Sequence, residues 1–425
     1  MRRGTMENMT PPPPAQHNWA GTHTYTAASI VTPRTVDELQ VIVATSPRVR
    51  ALGSRHSFND LADTDGVLVD TSALPHSLEV IDDDTVKVAA WMRYGDIATA
   101  LKPHGLALHN LASLPHISVA GAVATGTHGS GDGNSNLAGA VAGFDMVDAH
   151  GELVSLQPVD DDFDGAVVSL GALGILTTIT LDVEPAFEVR QDVWDELPWD
   201  AALENLDRIT SAAYSVSMFT DWSGDTIGST WLKQTVPGRV RGELFGAVRR
   251  STDRHPLPDI DASPTTQQGG VPGLWSDRLP HFRMEFTPSN GEEIQSEYLV
   301  PRINAIAALE AMRELSPLVT PLLHVTEIRT MRADSLWMSG AYDTDCVNIH
   351  FTWKKLPAEV AAALPVVEQA LLPLGARPHW GKWFAASSEA LRPLYPRFDD
   401  FRALAQSWDP TGKFRNEYLA RTLDL

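Results

Sequence analysis

The chain has 425 residues, a formal net charge of −21 at pH 7 and 43% hydrophobic residues, with a pI near 5.0. Such acidity argues against nucleic acid and anionic membrane surfaces as partners, and its plain consequence is solubility. A length prior of roughly 150 residues per domain predicts two or three domains with a sizeable core. The single cysteine, Cys346, excludes a disulfide framework within the chain. It sits in a strand-like run, Asp345-Cys346-Val347-Asn348-Ile349, with no evident partner, and reads as a packed core thiol.

Arg2-Arg3 opens the chain as a twin-arginine signal would, but Thr10-Pro11-Pro12-Pro13-Pro14-Ala15 follows instead of an apolar stretch. Residues 1–17 are therefore expected to be a disordered tail. No apolar run is long enough to span a bilayer, and a cytoplasmic location is expected. The run 35–44 has helical spacing, with Thr35 or Asp37 near its cap. Val49-Arg50-Ala51-Leu52-Gly53 reads as a buried strand, followed by Val67-Leu68-Val69-Asp70 and the alternating Thr85-Val86-Lys87-Val88-Ala89. A short helix after Gly95 is ended by Pro103 and Gly105. Another begins near Val119, and His150-Gly151 joins two strands.

Short strands mixed with helices predict an α+β fold rather than a regular βαβ repeat. No G-x-G-x-x-G follows a strand, so a Rossmann reading fails. The pattern changes after Glu184-Pro185, where a domain boundary is expected. Beyond it, β patterns alternate with two amphipathic helices, over 304–315 and 358–372. The Pro/Gly-rich stretch 237–273 is long enough to be functional, disordered or an insertion. The final segment, 391–425, reads as helical and carries Asp409-Pro410-Thr411-Gly412-Lys413-Phe414-Arg415-Asn416.

Two stretches organise the first half. Ser54-Arg55-His56-Ser57-Phe58 leaves a histidine at a strand end. It is answered by Ser113-Leu114-Pro115-His116-Ile117-Ser118-Val119-Ala120-Gly121 and by Ala124-Thr125-Gly126-Thr127-His128-Gly129. Small residues of this kind let backbone N–H groups approach phosphates. His56, His116 and His128 suggest a metal, but no cysteine or carboxylate stands in register, so no metal is expected. For His56 alone, the plainer reading is a strand-end histidine bonded to backbone.

With these motifs the chain, from about residue 18 to its C-terminus, resembles the vanillyl-alcohol oxidase flavoprotein family, and within it the alditol oxidases. The resemblance implies a two-domain α+β architecture: an FAD-binding domain over 18–185, a substrate-binding domain over 186–378, and a segment 379–425 returning to the FAD domain. It makes His56 the covalent attachment point of FAD. Leu52, Gly53, Ser54, Arg55, Ser57, Phe58, Ser113, Ser118, Gly121, Thr125, Gly126, Thr127, His128, Ile175 and His379 become its further contacts. Arg55 departs from the family motif, which often has glycine there; it is expected to pair with a phosphate or an acidic side chain. A covalent cofactor needs no interface to retain it, and a monomer is expected.

Period-2 alternation puts Glu327 and Arg329 on one strand face, and His350 and Thr352 on another, with Ile349, Phe351 and Trp353 opposite. From spacing alone, the plainer reading is a solvated sheet face with a cross-strand ion pair. The family resemblance reverses that preference. It makes Ser113, Gln295, Glu327, Arg329, Thr352 and Lys382 the contacts of a polyol. It implies hydride transfer from C1 to flavin N5 and reduction of O2 to hydrogen peroxide. His350 is the expected aid to proton removal, with Lys382 second. Arg329 and Lys382 supply positive charge for a developing alkoxide. A 1,4-lactone oxidase of the same family, a flavin dehydrogenase using another acceptor, and a flavin- or sugar-binding protein without turnover are the alternatives.

Overall fold

The computed structural model describes residues 16–238, 241–257, 260–286 and 292–425. Most of the expected tail lies outside the described residues. Gln16 and His17 do not belong to it: His17 bridges Thr24, and Tyr25 N donates to Gln16 O.

A small parallel sheet orders the strands Ser29–Val31, Val67–Asp70 and Val49–Leu52. The helix Val36–Thr45 crosses it, capped by Thr35, whose side chain accepts from Glu38 N at 3.1 Å. Leu39 and Val43 of that helix bury against Val49, Val69, Ile175 and Phe414. Arg50 is the anomaly of the buried strand. Its guanidinium donates to the carbonyls of Leu61, Leu170, Gly171 and Phe414, which satisfies a charge that burial would otherwise penalise. The C-terminal loop is fixed from the other side, where Asp409 accepts from Lys413 N and Phe414 N and Val49 N donates to Lys413 O. The glycine of this expected stop, Gly105, takes φ 66° after the helix Tyr94–Leu101 and its 3-10 extension Lys102–His104.

An antiparallel sheet follows, ordered Leu78–Val80, Thr85–Ala89, Ile175–Asp182, Val141–Val147, Leu153–Leu156. The second half is a nine-stranded antiparallel sheet. Its central strands run Glu188–Pro198, Thr226–Val236, Ser215–Thr220, Leu323–Met331, Cys346–Lys354 and Glu293–Pro301. One face carries Ile328, Ile349, Phe351, Trp353, Ile294 and Tyr298, covered by Ala308, Leu309, Met312, Val360, Leu364 and Val367 of the helices Ala305–Glu314 and Pro357–Leu371. Cys346 is buried at the end of its strand, where burial pushes the thiol up to about 12. Within 237–273, the described residues fold onto the edge strand: Val248–Arg249 pairs with Trp194 and Asp195, and Gly273–Leu274 with Glu188 and Val189.

Candidate active site

A cavity of about 320 Å3 runs between the turn-rich motifs of the first half and the polar face of the large sheet. Its first wall is made by Leu52 to Phe58, Ser113, Ser118, Gly121, Thr125, Thr127, His128 and Ile175. Gly126, expected beside them, does not line it. With φ 63° it turns the chain so that Thr127 N reaches Ala122 O. The two motifs are laced together, Ser118 N donating to Ser54 Oγ at 3.1 Å and Ser54 N to Ser118 Oγ at 3.4 Å. Arg55 also has positive φ, 63°, a conformation costing an L-residue roughly 1–2 kcal/mol, which explains why glycine suits the place. Its guanidinium reaches Asp70 Oδ2 at 3.0 Å, so the acidic partner is the one present.

His56 projects into the cavity. Its ring stacks on Trp19, centroids 5.3 Å apart, and burial lowers its pKa to about 4. Its Nδ1 is buried and meets no hydrogen-bond partner. The same loop anchors the opposite wall: Phe58 N donates to Gly381 O, and Asn59 Nδ2 to Trp380 O and Lys382 O.

The sheet face brings Gln295, Glu327, Arg329, His350, Thr352, His379 and Lys382 to that cavity. Register explains the grouping, since Gln295 pairs with Thr352, and His350 lies between Glu297 and Glu327. Glu297, Glu327 and Arg329 are 2%, 4% and 6% exposed, so the solvated-face alternative is overturned. Arg329 Nη2 donates to Glu297 Oε1 at 2.7 Å, and its Nε lies 3.6 Å from Glu327 Oε2. Burial pushes the Glu327 carboxyl up, but Arg329 and His281 outweigh it and hold it well below the usual range. Against the same burial, His128 and Arg329 hold Glu297 down. Both are carboxylates at neutral pH.

Gln295 links the remaining groups. Its amide nitrogen donates to Glu293 and its carbonyl accepts from Lys382. That orientation makes Gln295 Oε1 the acceptor for His350 Nε2 at 3.1 Å. The His350 proton therefore sits on Nε2, and Nδ1 is the ring's basic atom. Burial, with Lys382 next, lowers His350 to about 3, and burial lowers Lys382 to about 8.

Sequence reasoning missed several lining residues: Trp19, Tyr25, Trp91, Phe219, His255, His281, Glu293 and Glu297. The alternation Glu293-x-Gln295-x-Glu297 was the available signal for two of them. His128, Glu297 and His379 bring potential ligand atoms within 4.8 Å of one another, a carboxylate in space that no local spacing offered. Arg329 already places a permanent cation on Glu297 Oε1.

Residues 27–157 match the FAD binding domain family, and residues 287–422 match the family described as D-arabinono-1,4-lactone oxidase. An alditol oxidase from Streptomyces sp. is 48% identical over 419 residues, covering 96% of this chain and 98% of that protein. An L-gulono-1,4-lactone dehydrogenase from Mycobacterium tuberculosis is 30% identical, covering 96% and 99%. A crystal structure of cholesterol oxidase from B. sterolicum shares the fold, with TM-score 0.77 at 16% identity, covering 97% of this chain and 99% of that one. The fold is therefore the two-domain, vanillyl-alcohol-oxidase type of an FAD-dependent oxidoreductase. The chain belongs to the alditol oxidase family of these flavoproteins.

The first wall fits the cofactor. Ala90, Gly121, Ala122 and Ala124 leave a slot lined by small side chains, and His56 on the same wall has a buried Nδ1 that no protein group satisfies.

Proposed function

We propose that this protein oxidises the terminal C1 hydroxyl of polyols such as xylitol and sorbitol to the aldose, with O2 reduced to hydrogen peroxide. FAD is held covalently through His56, and residues 18–185, 186–378 and 379–425 act as FAD domain, substrate domain and returning segment. The observation that carries this reading is the buried pair Glu327 and Arg329, ionised and in one cavity with the half-buried Lys382 and with His56. A site of this kind favours a ligand with several hydroxyls, because any analogue lacking them leaves buried polar groups unpaired.

FAD supplies the hydride-accepting chemistry when bound. The chain's own residues hold the substrate. Glu327 accepts from a substrate hydroxyl, while Ser113, Gln295 and Thr352 complete the polar contacts. Arg329 Nε is buried without a hydrogen-bond partner and donates to oxygen as negative charge grows there. Lys382 as an ammonium adds to that field. His350 Nδ1 takes the hydroxyl proton. A cytoplasmic monomer remains our reading; among the described residues no helix is long and apolar enough to cross a membrane.

A second reading, oxidation of a 1,4-lactone, has the match over residues 287–422 in its favour. Peroxide release in air-saturated buffer separates the two. Xylitol turnover with little from L-gulono-1,4-lactone supports the alditol reading, and the reverse overturns it. A yellow protein that yields peroxide with neither overturns both.

A further inference from the structure

Behind the sheet wall lies a charge that the roles above leave unused. Lys233, on the strand Thr226–Val236, is 1% exposed. Its Nζ lies 2.5 Å from Leu279 O, 2.9 Å from Pro280 O and 3.1 Å from His281 Nδ1. The other ring nitrogen, Nε2, lies 2.7 Å from Glu327 Oε1. A lysine meeting two carbonyls and an imidazole, with no carboxylate in contact, is costly to bury unless all three protons are used.

The proton inventory fixes the arrangement. An ammonium has three donors and no lone pair, and a carbonyl only accepts. Two of the Lys233 protons go to Leu279 O and Pro280 O, so the third points at His281 Nδ1. That nitrogen must offer its lone pair, which puts the ring proton on Nε2, facing the Glu327 carboxylate. The ring is neutral, since burial and then Lys233 lower its pKa to about 4. Phe219 and Trp231 hold its plane edge-on, with centroids 5.6 and 5.2 Å away. The His281 backbone N donates to Ser113 O, so the same loop also braces the serine.

We propose that Lys233 is a positioning residue for substrate oxidation: it locks His281 in the Nε2–H tautomer. That tautomer fastens Glu327 Oε1 and leaves Oε2 turned towards Arg329 and the substrate hydroxyl. With the opposite tautomer, an imidazole lone pair would face a carboxylate, and Glu327 would swing away. This deepens the polyol reading, and its kinetic arm rests on that reading; its spectroscopic arm does not.

The test uses the FAD-loaded protein. In protein labelled with 15N at histidine, the His281 signals, assigned by their loss in His281→Gln, are expected to show unprotonated Nδ1 and protonated Nε2 at pH 6, where Lys233, lowered by burial to about 7, is still an ammonium. A protonated Nδ1 overturns the proposal, whatever the substrate proves to be. In kinetics with xylitol, Lys233→Met is expected to lower kcat/KM roughly ten- to a hundred-fold, as loss of a group that orients a contact residue does. His281→Gln lowers it as well, but a glutamine amide donates to Glu327 without a tautomer to choose. Adding Lys233→Met to His281→Gln is therefore expected to cost no more than about two-fold. An equal penalty in both backgrounds assigns Lys233 to loop stability alone and overturns the proposal. Should Lys233→Met fail to load FAD, the nitrogen spectrum of the unsubstituted protein still decides. Absence of xylitol turnover in the unsubstituted protein counts against the polyol reading and leaves the tautomer result standing.

Discussion

The two walls of the cavity solve different problems with different chemistry. The turn-rich wall uses Gly, Ala, Ser and Thr, and its motifs are joined by backbone-to-hydroxyl hydrogen bonds such as Ser118 N to Ser54 Oγ. The sheet wall uses long charged side chains set against one another, as Arg329 is buried against Glu297. A wall that must lie flat on a large planar group profits from side chains that stay out of the way. A wall that must tell one hydroxyl pattern from another needs ionised groups whose positions are over-determined. Damage on the first side should therefore show in cofactor retention, and damage on the second in turnover and stability.

His56→Ala tests the first half of that contrast most sharply. It is expected to abolish covalent flavin: acid-precipitated protein loses its yellow colour, whereas the unsubstituted protein keeps it. Folding should be nearly unchanged, because His56 contributes a ring stacked on Trp19 rather than an ion pair. Retention of flavin after acid precipitation would assign the tether elsewhere. Arg329→Met is the matching change on the other wall. It leaves the buried Glu297 carboxylate with only the His128 imidazole against it, and loss of one partner of a buried charge pair is expected to cost about 3 kcal/mol of stability, visible as a lowered Tm. Xylitol turnover should fall roughly a hundred-fold or more with it. Arg329→Lys keeps the charge, and should restore stability better than turnover because a lysine cannot present the planar fork.

Much of this contrast was legible in the sequence, for reasons that differ between the walls. Close approach of backbone restricts composition, so His56 and the run from Ser113 to Gly129 stand out as letters. Alternation along a strand also survives in one dimension, and it grouped Glu327 with Arg329 and His350 with Thr352. What it could not give was partnership across strands. Alternation sets Glu297 on the face of Gln295, but its partners emerged only when register set it beside His350 and brought it to Arg329, and that partnership decides that the face is buried. Lys233 and His281, 48 residues apart, meet because a loop folds back behind the sheet. The stretch 237–273 was ambiguous because its described strands are two residues long, too short for any periodicity.

Two lysines, Lys233 buried and Lys382 half-buried, give a pH test whose sign tells a cation from a base. Burial lowers Lys382 to about 8 and Lys233 to about 7. The roles proposed above require both as ammonium ions, one to support negative charge on oxygen, the other to fix His281. The fraction charged falls as pH rises through that window, so kcat/KM for xylitol is expected to decline several-fold between pH 6.5 and 9. A rise over the same range would make a lysine the base and displace His350 from that role. On the acid side, the depressed carboxyls of Glu327 and Glu297 remain ionised well below neutrality, so no matching loss is expected above the ordinary carboxylate range.

The smallest expected effect comes from Thr352→Val, a change of shape-matched side chains at the rim of the same sheet face. Thr352 faces Gln295 across the strand pair and carries no charge, so nothing ionised is stranded when its hydroxyl goes. One neutral hydrogen bond to substrate is worth about 1 kcal/mol, a several-fold rise in KM for xylitol with Tm unchanged. That modest, stability-free loss is what a neutral contact predicts. A drop in Tm comparable with that of Arg329→Met would mean that the hydroxyl belongs to the buried charge network, and the division between holding groups and contact groups on this wall would have to be redrawn.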